Sequence, residues 1–337
     1  MLQHTFDHAT FIGIDAHIGE HTALAVNRFE EERGKLTFAN THEGIARFLS
    51  WIPTLDADQR KIHIGIEGGG TERHALLRCL IASYEQVYEI NPLFTKQRRD
   101  YGTNGNKSDE RDAKLIAEVL TKKIMELPKI AAHQLTPQRL VFRKTIWFYE
   151  EITERGVAIQ HQLNQVKREH VLAQDQLERH ALSMIYREKE KERIRIRKTQ
   201  KKVVAELSHL LPERGKNLTS IPGISTVLAA RIIAHTDGIE RFRNLDKFIR
   251  YAGIAPLERS SGKTRRFIKA NRGNRKLNAA LYMAALSQRR CDPAGCAYFE
   301  KKVSEGKTKK HALRCLMKRV ACIVYGMLKN GEPYRRS

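Results

Sequence analysis

The sequence predicts an α/β domain in the N-terminal part, a long helical connector and a mainly helical C-terminal domain. Short β-like runs alternate with amphipathic helical patterns up to about residue 125. An almost glycine-free helical pattern then runs from about Thr136 to Leu211, with Pro137 and Pro212 at its ends. Further helical patterns, separated by turns that contain Gly or Pro, make up the rest of the chain. We therefore expect domains at residues 10–125, 136–212 and 216–332.

The N-terminal domain shows strand and helix patterns in the order of a layered α/β fold. Three predicted strands precede a helix, and strands and helices then alternate. The predicted bounds are 11–15, 22–26 and 35–40 for the strands, 41–51 for the first helix, and 62–67, 71–83, 86–90 and 109–123 for the alternating elements. This order matches an RNase H-like core, with Asp15 on the first strand and Glu67 on the fourth.

Four carboxylates lie at the ends of these elements. Asp15 and Glu67 end two strands, and Asp109 and Asp112 lie three residues apart, on one face of the last helix. Carboxylates at the ends of adjacent strands can converge although dozens of residues separate them in the sequence. Crowded carboxylates repel one another unless a cation neutralises them, and hard oxygen ligands favour magnesium or manganese. The set therefore predicts a Mg²⁺ (or Mn²⁺) site.

Each of these acids also has an ordinary structural explanation. Asp15 could be a turn residue, Asp109 could cap the helix, and Asp112 could be a solvated acid in the first turn. Their joint placement, where a metal site in this fold would form, favours the functional interpretation.

The composition indicates a nucleic-acid partner. The formal net charge is +23 at pH 7, with 61 Lys and Arg against 38 Asp and Glu, and the sequence pI is about 9.9. A surface this cationic attracts polyanions. A membrane is disfavoured as the partner because no apolar run of about 18 residues occurs. The first ten residues do not resemble a signal peptide, and five cysteines are an odd number. These features predict a cytoplasmic protein with reduced thiols.

The connector carries an apolar seam with a spacing typical of coiled coils. An intramolecular helical hairpin and an intermolecular coiled coil both explain it. Because the seam is too narrow to form a core by itself, dimerisation or higher assembly is favoured. The seam residues are Ile152, Ile159, Leu163, Val166, His170, Ala173 and Leu177, and the pattern resumes at Val203, Leu207 and Leu210.

The C-terminal domain contains two candidate nucleic-acid contacts. Residues Ile221-Pro222-Gly223-Ile224 are typical of the turn of a helix-hairpin-helix module, in which Gly223 lets backbone N–H groups approach a phosphate. An ordinary helix–helix turn is the alternative. The second contact is a Ser-rich basic loop that could bind phosphate passively or supply a nucleophile. Its residues are Arg259, Ser260, Ser261, Gly262, Lys263, Arg265, Arg266, Lys269, Arg272, Arg275 and Lys276.

A zinc site is a weaker possibility in the same domain. Its candidate ligands are Cys291 and Cys296, together with His311 and Cys315 at helical spacing. Packing against the apolar face of a helix is the alternative for Cys315 and Cys322.

The ordered motifs resemble those of the DEDD transposases of bacterial insertion sequences, the one-ten family, which includes the one-one-one-one branch and the Piv-type DNA invertases. The motifs include Gly13-Ile14-Asp15, Ile66-Glu67-Gly68, Lys107-Ser108-Asp109, Ser220-Ile221-Pro222-Gly223 and Ser261-Gly262, and they cover nearly the whole chain. The resemblance implies a RuvC-like domain whose Asp15, Glu67, Asp109 and Asp112 bind Mg²⁺, a coiled coil, and a transposase domain with Ser261 as nucleophile. Ser260 is the nearest competitor. Lys263 and Thr264 replace serines that several relatives have.

The resemblance further implies a structured noncoding guide RNA that pairs with target and donor DNA, and the setting of a bacterial cytoplasm and nucleoid. The mechanism that we expect is attack of Ser261 on a DNA phosphate, within a dimer or tetramer. Two other classes remain open. A RuvC-type nuclease would use the same acids with water as nucleophile, and a non-catalytic nucleic-acid binder would use the positive charge alone.

Overall fold

The computed structural model describes residues 6, 8–67, 73–100, 108–130, 135–255, 257–261, 264–268 and 273–335. The chain divides into two compact units, Met1–Thr136 and Pro137–Ser337. The predicted connector and the predicted C-terminal domain both belong to the second unit. Among the described residues, no helix combines the length and the apolar character needed to cross a membrane.

The first unit contains a five-stranded mixed sheet. Its strands are β1 (Thr10–Ala16), β2 (Glu20–Val26), β3 (Glu32–Ala39), β4 (Ile62–Glu67) and β5 (Val87–Ile90), in the spatial order β3-β2-β1-β4-β5. The first three strands pair antiparallel, whereas β4 runs parallel to β1 and β5 runs parallel to β4. This mixed α/β arrangement is consistent with the predicted RNase H-like domain.

Four helices accompany this sheet: α1 (His42–Leu55), α2 (His74–Ser83), α3 (Pro92–Asp100) and α4 (Asp109–Lys123). The hydroxyl of Thr41 caps α1 by accepting a hydrogen bond from the Gly44 N–H at 3.1 Å, as the sequence predicts. The helix continues through Pro53, beyond its predicted end. Helix α3 was not predicted, because its mostly polar residues show no apolar stripe.

Helix α4 packs on the central strands through a stripe of small and aliphatic side chains. Ala113, Ile116, Ala117 and Leu120 are fully buried there with residues of β1 and β2. Arg98 of α3 contacts Glu118 of α4 and donates to both carboxylate oxygens of Glu30, at 3.0 and 2.9 Å. These contacts fix α4, and with it Asp109 and Asp112, relative to the sheet.

The second unit begins with a helical hairpin formed by α5 (Pro137–Leu172) and α6 (Gln176–Leu210). The apolar seam is filled within the chain, so the intramolecular alternative describes this structure. Higher assembly stays a prediction. In the predicted continuation of the seam, Ala173 is buried, whereas His170 and Leu177 are exposed. His170 nevertheless contacts α6, because its Nε2 lies 3.1 Å from the hydroxyl oxygen of Ser183. The buried seam residues are Ile152, Ile159, Leu163 and Val166 on α5, and Ile196, Val203 and Leu207 on α6.

The rest of the second unit is mainly helical. The predicted serine loop is instead an antiparallel β-hairpin of β6 (Leu257–Ser261) and β7 (Thr264–Ile268). Its charged sequence lacks the apolar alternation that predicts strands, which is why it was interpreted as a loop. The helices are α7 (Glu213–Leu218), α8 (Thr226–Thr236), α9 (Leu245–Tyr251), α10 (Arg275–Cys291), α11 (Pro293–Ser304) and α12 (Lys309–Asn330).

A buried ion cluster joins the helical hairpin to this C-terminal part. Glu150 of α5 has a side chain that is only 7% exposed, and one of its oxygens lies 2.8 Å from Arg231 Nε and 3.0 Å from His235 Nε2, both on α8. Lys276 of α10 approaches the other oxygen at 3.7 Å. Burial raises the pKa of Glu150, but the hydrogen bonds and charges of His235 and Arg231 outweigh this effect and lower the pKa to about 2.

We expect the Glu150 cluster to make the second unit sensitive to acid. Since the folded pKa lies below the ordinary 4.5, the stabilisation is present above that value and is lost as the pH falls towards 2. The shift corresponds to about 3 kcal/mol. In a Trp51→Phe background, where fluorescence reports on Trp147 alone, Glu150→Gln should lower the free energy of unfolding near neutral pH. This deficit should shrink between about pH 5 and about pH 3. Glu151→Gln, at an exposed neighbour on the same helix, is the control, and a pH-independent deficit would contradict the prediction.

Candidate active site

Two of the four predicted carboxylates end adjacent parallel strands. β1 and β4 pair in a register that places Ile14 opposite Ile66, so Asp15 and Glu67 follow side by side at the carboxyl ends. Asp15 is buried, with 7% of its surface exposed, and Glu67 is half-buried. The strand pairing therefore brings together two acids that the sequence separates widely.

Glycines set the distance between these strands and α4. Side chains alternate along a strand, so Gly13 shares a face with Asp15, and Gly65 shares a face with Glu67. A Cβ atom at Gly13 would lie 2.1 Å from the carbonyl oxygen of Ala113 and 2.3 Å from the backbone nitrogen of Ala117. Only glycine allows the backbone of α4 to lie this close to β1, next to Asp15.

The first turn of α4 supplies the other two carboxylates. The Ser108 hydroxyl caps the helix by accepting a hydrogen bond from the Arg111 N–H at 3.3 Å. Asp112 is buried, whereas the side chain of Asp109 is 52% exposed. The positive end of the helix dipole favours both acids at this position.

Histidine and hydroxyl groups hold the carboxylates in place. His17 Nε2 lies 3.1 Å from Asp15 Oδ2 and 3.5 Å from Asp109 Oδ1. The Thr95 hydroxyl, on α3, donates to Glu67 Oε1 at 2.9 Å. All four predicted acids and two unpredicted partners, His17 and Thr95, therefore lie at one end of the sheet.

Arg99, also on α3, partly neutralises the site. Its Nη2 lies 2.5 Å from Asp112 Oδ1. His17, Thr95 and Arg99 were all missed by sequence reasoning. Only His17 had a signal, because it continues the alternation of Gly13 and Asp15 along β1, whereas the other two belong to the unpredicted helix α3.

The carboxylates repel one another electrostatically. Burial raises the pKa of Asp15 above its usual 3.8, and Asp112 and Asp109 raise it further, although His17 opposes them. Burial also raises the pKa of Glu67 above its usual 4.5. The hydrogen bond from Thr95 lowers that pKa, Asp15 and Asp112 raise it, and Arg99 lowers it. A cation that binds among these carboxylates releases free energy, because its positive charge offsets their mutual repulsion.

The donor set fits a divalent cation. Ligand atoms of Asp15, His17 and Asp109 all lie within 4.8 Å of one another. Carboxylate oxygens are ligands that Mg²⁺ and Mn²⁺ both accept, and Mn²⁺ also accepts an imidazole nitrogen. Elsewhere in the described part of the chain, no comparable group forms around Cys291, Cys296, His311 and Cys315. The roles of Asp15, Glu67, Asp109 and Asp112 as metal ligands stay a prediction.

Five predicted residues of the serine segment belong to the β6–β7 hairpin, namely Arg259, Ser260, Ser261, Arg265 and Arg266. Ser261 is the last residue of β6 and its backbone pairs with Thr264, at the turn end of the hairpin. Ser260 pairs with Arg265, and Arg259 pairs with Arg266. Gly262, Lys263, Lys269 and Arg272 lie outside the described residues. Arg275 is exposed at the start of α10, which Asn274 caps.

Gly223 has a structural reason to be glycine. Its φ of +86° is a left-handed conformation, and a Cβ atom there would lie 2.7 Å from the backbone nitrogen of Gln288 on α10. Ile221 and Ile224 on either side are buried in the core. The turn therefore needs glycine for its conformation and packing, and its contact with phosphate stays a prediction.

We expect Gly13→Ala to disrupt the site although residue 13 carries no functional group. The new Cβ would overlap backbone atoms of α4, so the helix must move away from β1. Forced overpacking of this kind costs about 1–3 kcal/mol. Thermal unfolding should show this loss, and Mn²⁺ binding should weaken because Asp109 and Asp112 move with the helix. Gly19→Ala, in the β1–β2 turn with open space around it, is the matched control. Unchanged Mn²⁺ affinity in Gly13→Ala would refute the argument.

Comparison with known protein families matches both units. Residues 12–167 match the DEDD transposase family of IS110, described as "Transposase", and residues 215–300 match "Transposase IS116/IS110/IS902 family". Together the two matches cover more than half of the chain.

Individual relatives agree with this result. The "Pilin gene-inverting protein" of Moraxella bovis is 25% identical over 341 residues, which cover 96% of this chain and 97% of that protein. The "Insertion element IS900 uncharacterized 42 kDa protein" of Mycobacterium paratuberculosis is 33% identical over 119 residues, or 35% of this chain and 30% of that protein. The "Insertion element IS110 uncharacterized 43.6 kDa protein" of Streptomyces coelicolor is 32% identical over 118 residues, which cover 35% of this chain and 29% of that protein. This chain therefore belongs to the IS116/IS110/IS902 family of transposases, whose members cut and rejoin DNA.

Proposed function

We propose that this protein is an insertion-sequence transposase that cuts and rejoins DNA through a serine nucleophile assisted by Mg²⁺ (or Mn²⁺). In this proposal the first unit is a RuvC-like domain whose Asp15, Glu67, Asp109 and Asp112 hold the metal. Ser261 in the second unit attacks the DNA. The observation that carries the proposal is the meeting of carboxylates at the carboxyl ends of β1 and β4, where burial and mutual repulsion raise the pKa values of Asp15 and Glu67.

The four acids and their neighbours each have a defined task. Bound divalent metal supplies positive charge to the phosphate and to the leaving oxygen. Asp15 and Glu67, on rigid strand ends, fix the position of that charge relative to the sheet. Asp109 and Asp112 contribute from the helix terminus. Thr95 keeps one oxygen of Glu67 oriented by donating a hydrogen bond at 2.9 Å. Arg99 must release Asp112, at least in part, if Asp112 binds metal.

The serine step conserves the energy of the phosphodiester bond. The Ser261 oxygen forms a bond to phosphorus and loses its proton to solvent, the bond from phosphorus to the 3′ oxygen breaks, and that oxygen takes up a proton. The reverse reaction, with the 3′ oxygen of another strand, rejoins DNA and restores the serine. No nucleotide triphosphate is needed, because the number of phosphodiester-type bonds stays constant.

DNA and a structured guide RNA are the proposed nucleic-acid partners. The net charge of +23 supports binding to phosphate backbones without base recognition. The proposed phosphate-binding residues are Gly223, Arg259, Lys263, Arg265, Arg266, Lys269, Arg272 and Arg275. A guide RNA would supply sequence choice by base pairing. Sequencing RNA that co-purifies with the protein tests this part, and RNA without complementarity to the DNA substrates would contradict it.

The proposed working state is a homodimer or homotetramer. Recombination requires strand cuts on two duplexes, and each catalytic serine serves one strand. The Moraxella bovis relative is named for inverting a pilin gene, a rearrangement that also needs two cut and rejoined sites. We propose the same two-site chemistry here.

A denaturing gel tests the proposed chemistry. Full-length protein, labelled DNA that carries the element ends, co-purified RNA and Mg²⁺ are incubated, and protein-linked DNA is measured. A covalent adduct that requires the metal supports the serine mechanism. Cleaved DNA without an adduct would indicate a RuvC-type nuclease that uses water. Binding without cleavage would indicate a non-catalytic nucleic-acid binder.

A further inference from the structure

His17 continues the functional face of β1 into the β1–β2 turn. Gly13, Asp15 and His17 alternate along the chain, so they belong to the face that α4 covers. The His17 N–H donates to the Glu20 carbonyl at 3.2 Å and closes the turn. This hydrogen bond fixes the backbone of residue 17 beside the carboxylates, and 47% of the His17 side chain is exposed.

The distances around His17 are those of ligands on one ion. Its Nε2 lies 3.1 Å from Asp15 Oδ2 and 3.5 Å from Asp109 Oδ1, and the three ligand atoms lie within 4.8 Å of one another. Adjacent ligands of an octahedral ion, each about 2.1 Å from the metal, are about 3 Å apart. A cation among these three atoms would thus require only small shifts of the exposed side chains of His17 and Asp109 towards the buried Asp15.

We propose that His17 is a further metal ligand, whose Nε2 joins Asp15 and Asp109 on one divalent cation and makes this site prefer Mn²⁺ to Mg²⁺. An imidazole nitrogen binds Mn²⁺ more readily than Mg²⁺, which demands hard oxygen ligands. Glu67 and Asp112, which do not belong to this group, remain for a second ion. The inference rests on the metal site of the proposed function and goes beyond it, because the four acids alone predict an all-oxygen site.

Pulsed electron paramagnetic resonance of bound Mn²⁺ tests the ligand directly. Nitrogen coordinated to Mn²⁺ modulates the electron spin echo, whereas a histidine that only orients Asp15 by a hydrogen bond does not give the coupling of a direct ligand. We expect the modulation in the full-length protein and its loss in His17→Gln. We also expect Mn²⁺ affinity to fall about tenfold in this variant, with a smaller change for Mg²⁺.

Two controls separate ligation from folding. His42→Gln, at an exposed histidine in the first turn of α1, should keep the modulation. Protein grown with histidine labelled by the heavy nitrogen isotope should show an altered modulation without any substitution, which tests whether a histidine is a direct ligand even if His17→Gln does not fold. Bound Mn²⁺ without directly coordinated nitrogen, or unchanged modulation in folded His17→Gln, overturns the inference and leaves the proposed function intact. Failure of any Mn²⁺ to bind overturns both.

Discussion

Replacing Ser261 with alanine is expected to abolish the covalent protein–DNA adduct while DNA binding stays within about twofold of the wild type. Alanine lacks the oxygen that is proposed to form the bond to phosphorus, so under this proposal no other change in the site is needed to stop the reaction. The adduct should fall by about a thousandfold or more, as expected when a nucleophile is removed. Binding should persist because it depends on many cations across the chain. The measurement is quantification of protein-linked DNA on a denaturing gel, beside a filter-binding assay.

Ser260→Ala is the matched control for this prediction. Both serines belong to β6, and Ser261 pairs with Thr264 at the turn end while Ser260 pairs with Arg265 one step further from it. We expect Ser260→Ala to form the adduct, with at most a modest loss of rate. An adduct in Ser261→Ala together with none in Ser260→Ala would transfer the nucleophile to Ser260. An adduct in both single variants would show that neither Ser260 nor Ser261 alone is the required nucleophile.

The central strands and their acids could be predicted from the sequence because their signals are local. The buried runs of β1 and β4 are continuous and mostly apolar, and an acid lies at or next to the end of each strand, so Asp15 and Glu67 follow from the strand pattern. The parallel pairing of these strands then places the acids side by side. Asp109 and Asp112 follow from the helical pattern of α4 in the same way.

The supporting residues could not be predicted, because they depend on distances between elements. His17 follows the alternation along β1, but its closeness to Asp109 depends on how near α4 lies, and Gly13 sets that distance. Thr95 and Arg99 belong to α3, whose polar sequence gives no apolar stripe. In the second unit, the same apolar seam can be buried by helix pairing within one chain or between two chains. The sequence alone therefore could not distinguish the intramolecular hairpin of α5 and α6 from an intermolecular coiled coil.

Replacing Asp15 with asparagine is expected to abolish metal-dependent cleavage and, in the metal-free protein, to stabilise the first unit. Burial raises the pKa of Asp15, and Asp112 and Asp109 add to this effect against His17, so ionisation of Asp15 costs more free energy in the folded protein than in the unfolded chain. Because the folded state binds this proton more tightly than the unfolded state, the stability falls as the pH rises above the usual value of 3.8. Asparagine removes the charge at nearly constant shape. Thermal unfolding with a chelator should therefore show a midpoint raised by a few degrees.

Divalent metal should reverse the order, so that the wild type becomes more stable than Asp15→Asn. A cation that binds only the folded state raises the unfolding midpoint of the wild type, whereas Asp15→Asn, which has lost a ligand, should respond little. Asp58→Asn is a control of opposite sign, because Asp58 is half-buried, accepts hydrogen bonds from Arg60, and has a lowered pKa. That variant should be no more stable than the wild type and should cleave DNA normally. If Asp15→Asn lost cleavage and stability together, the Asp15 charge would be holding the fold together. In that case, metal binding would not stabilise the first unit by relieving repulsion between Asp15 and the neighbouring carboxylates.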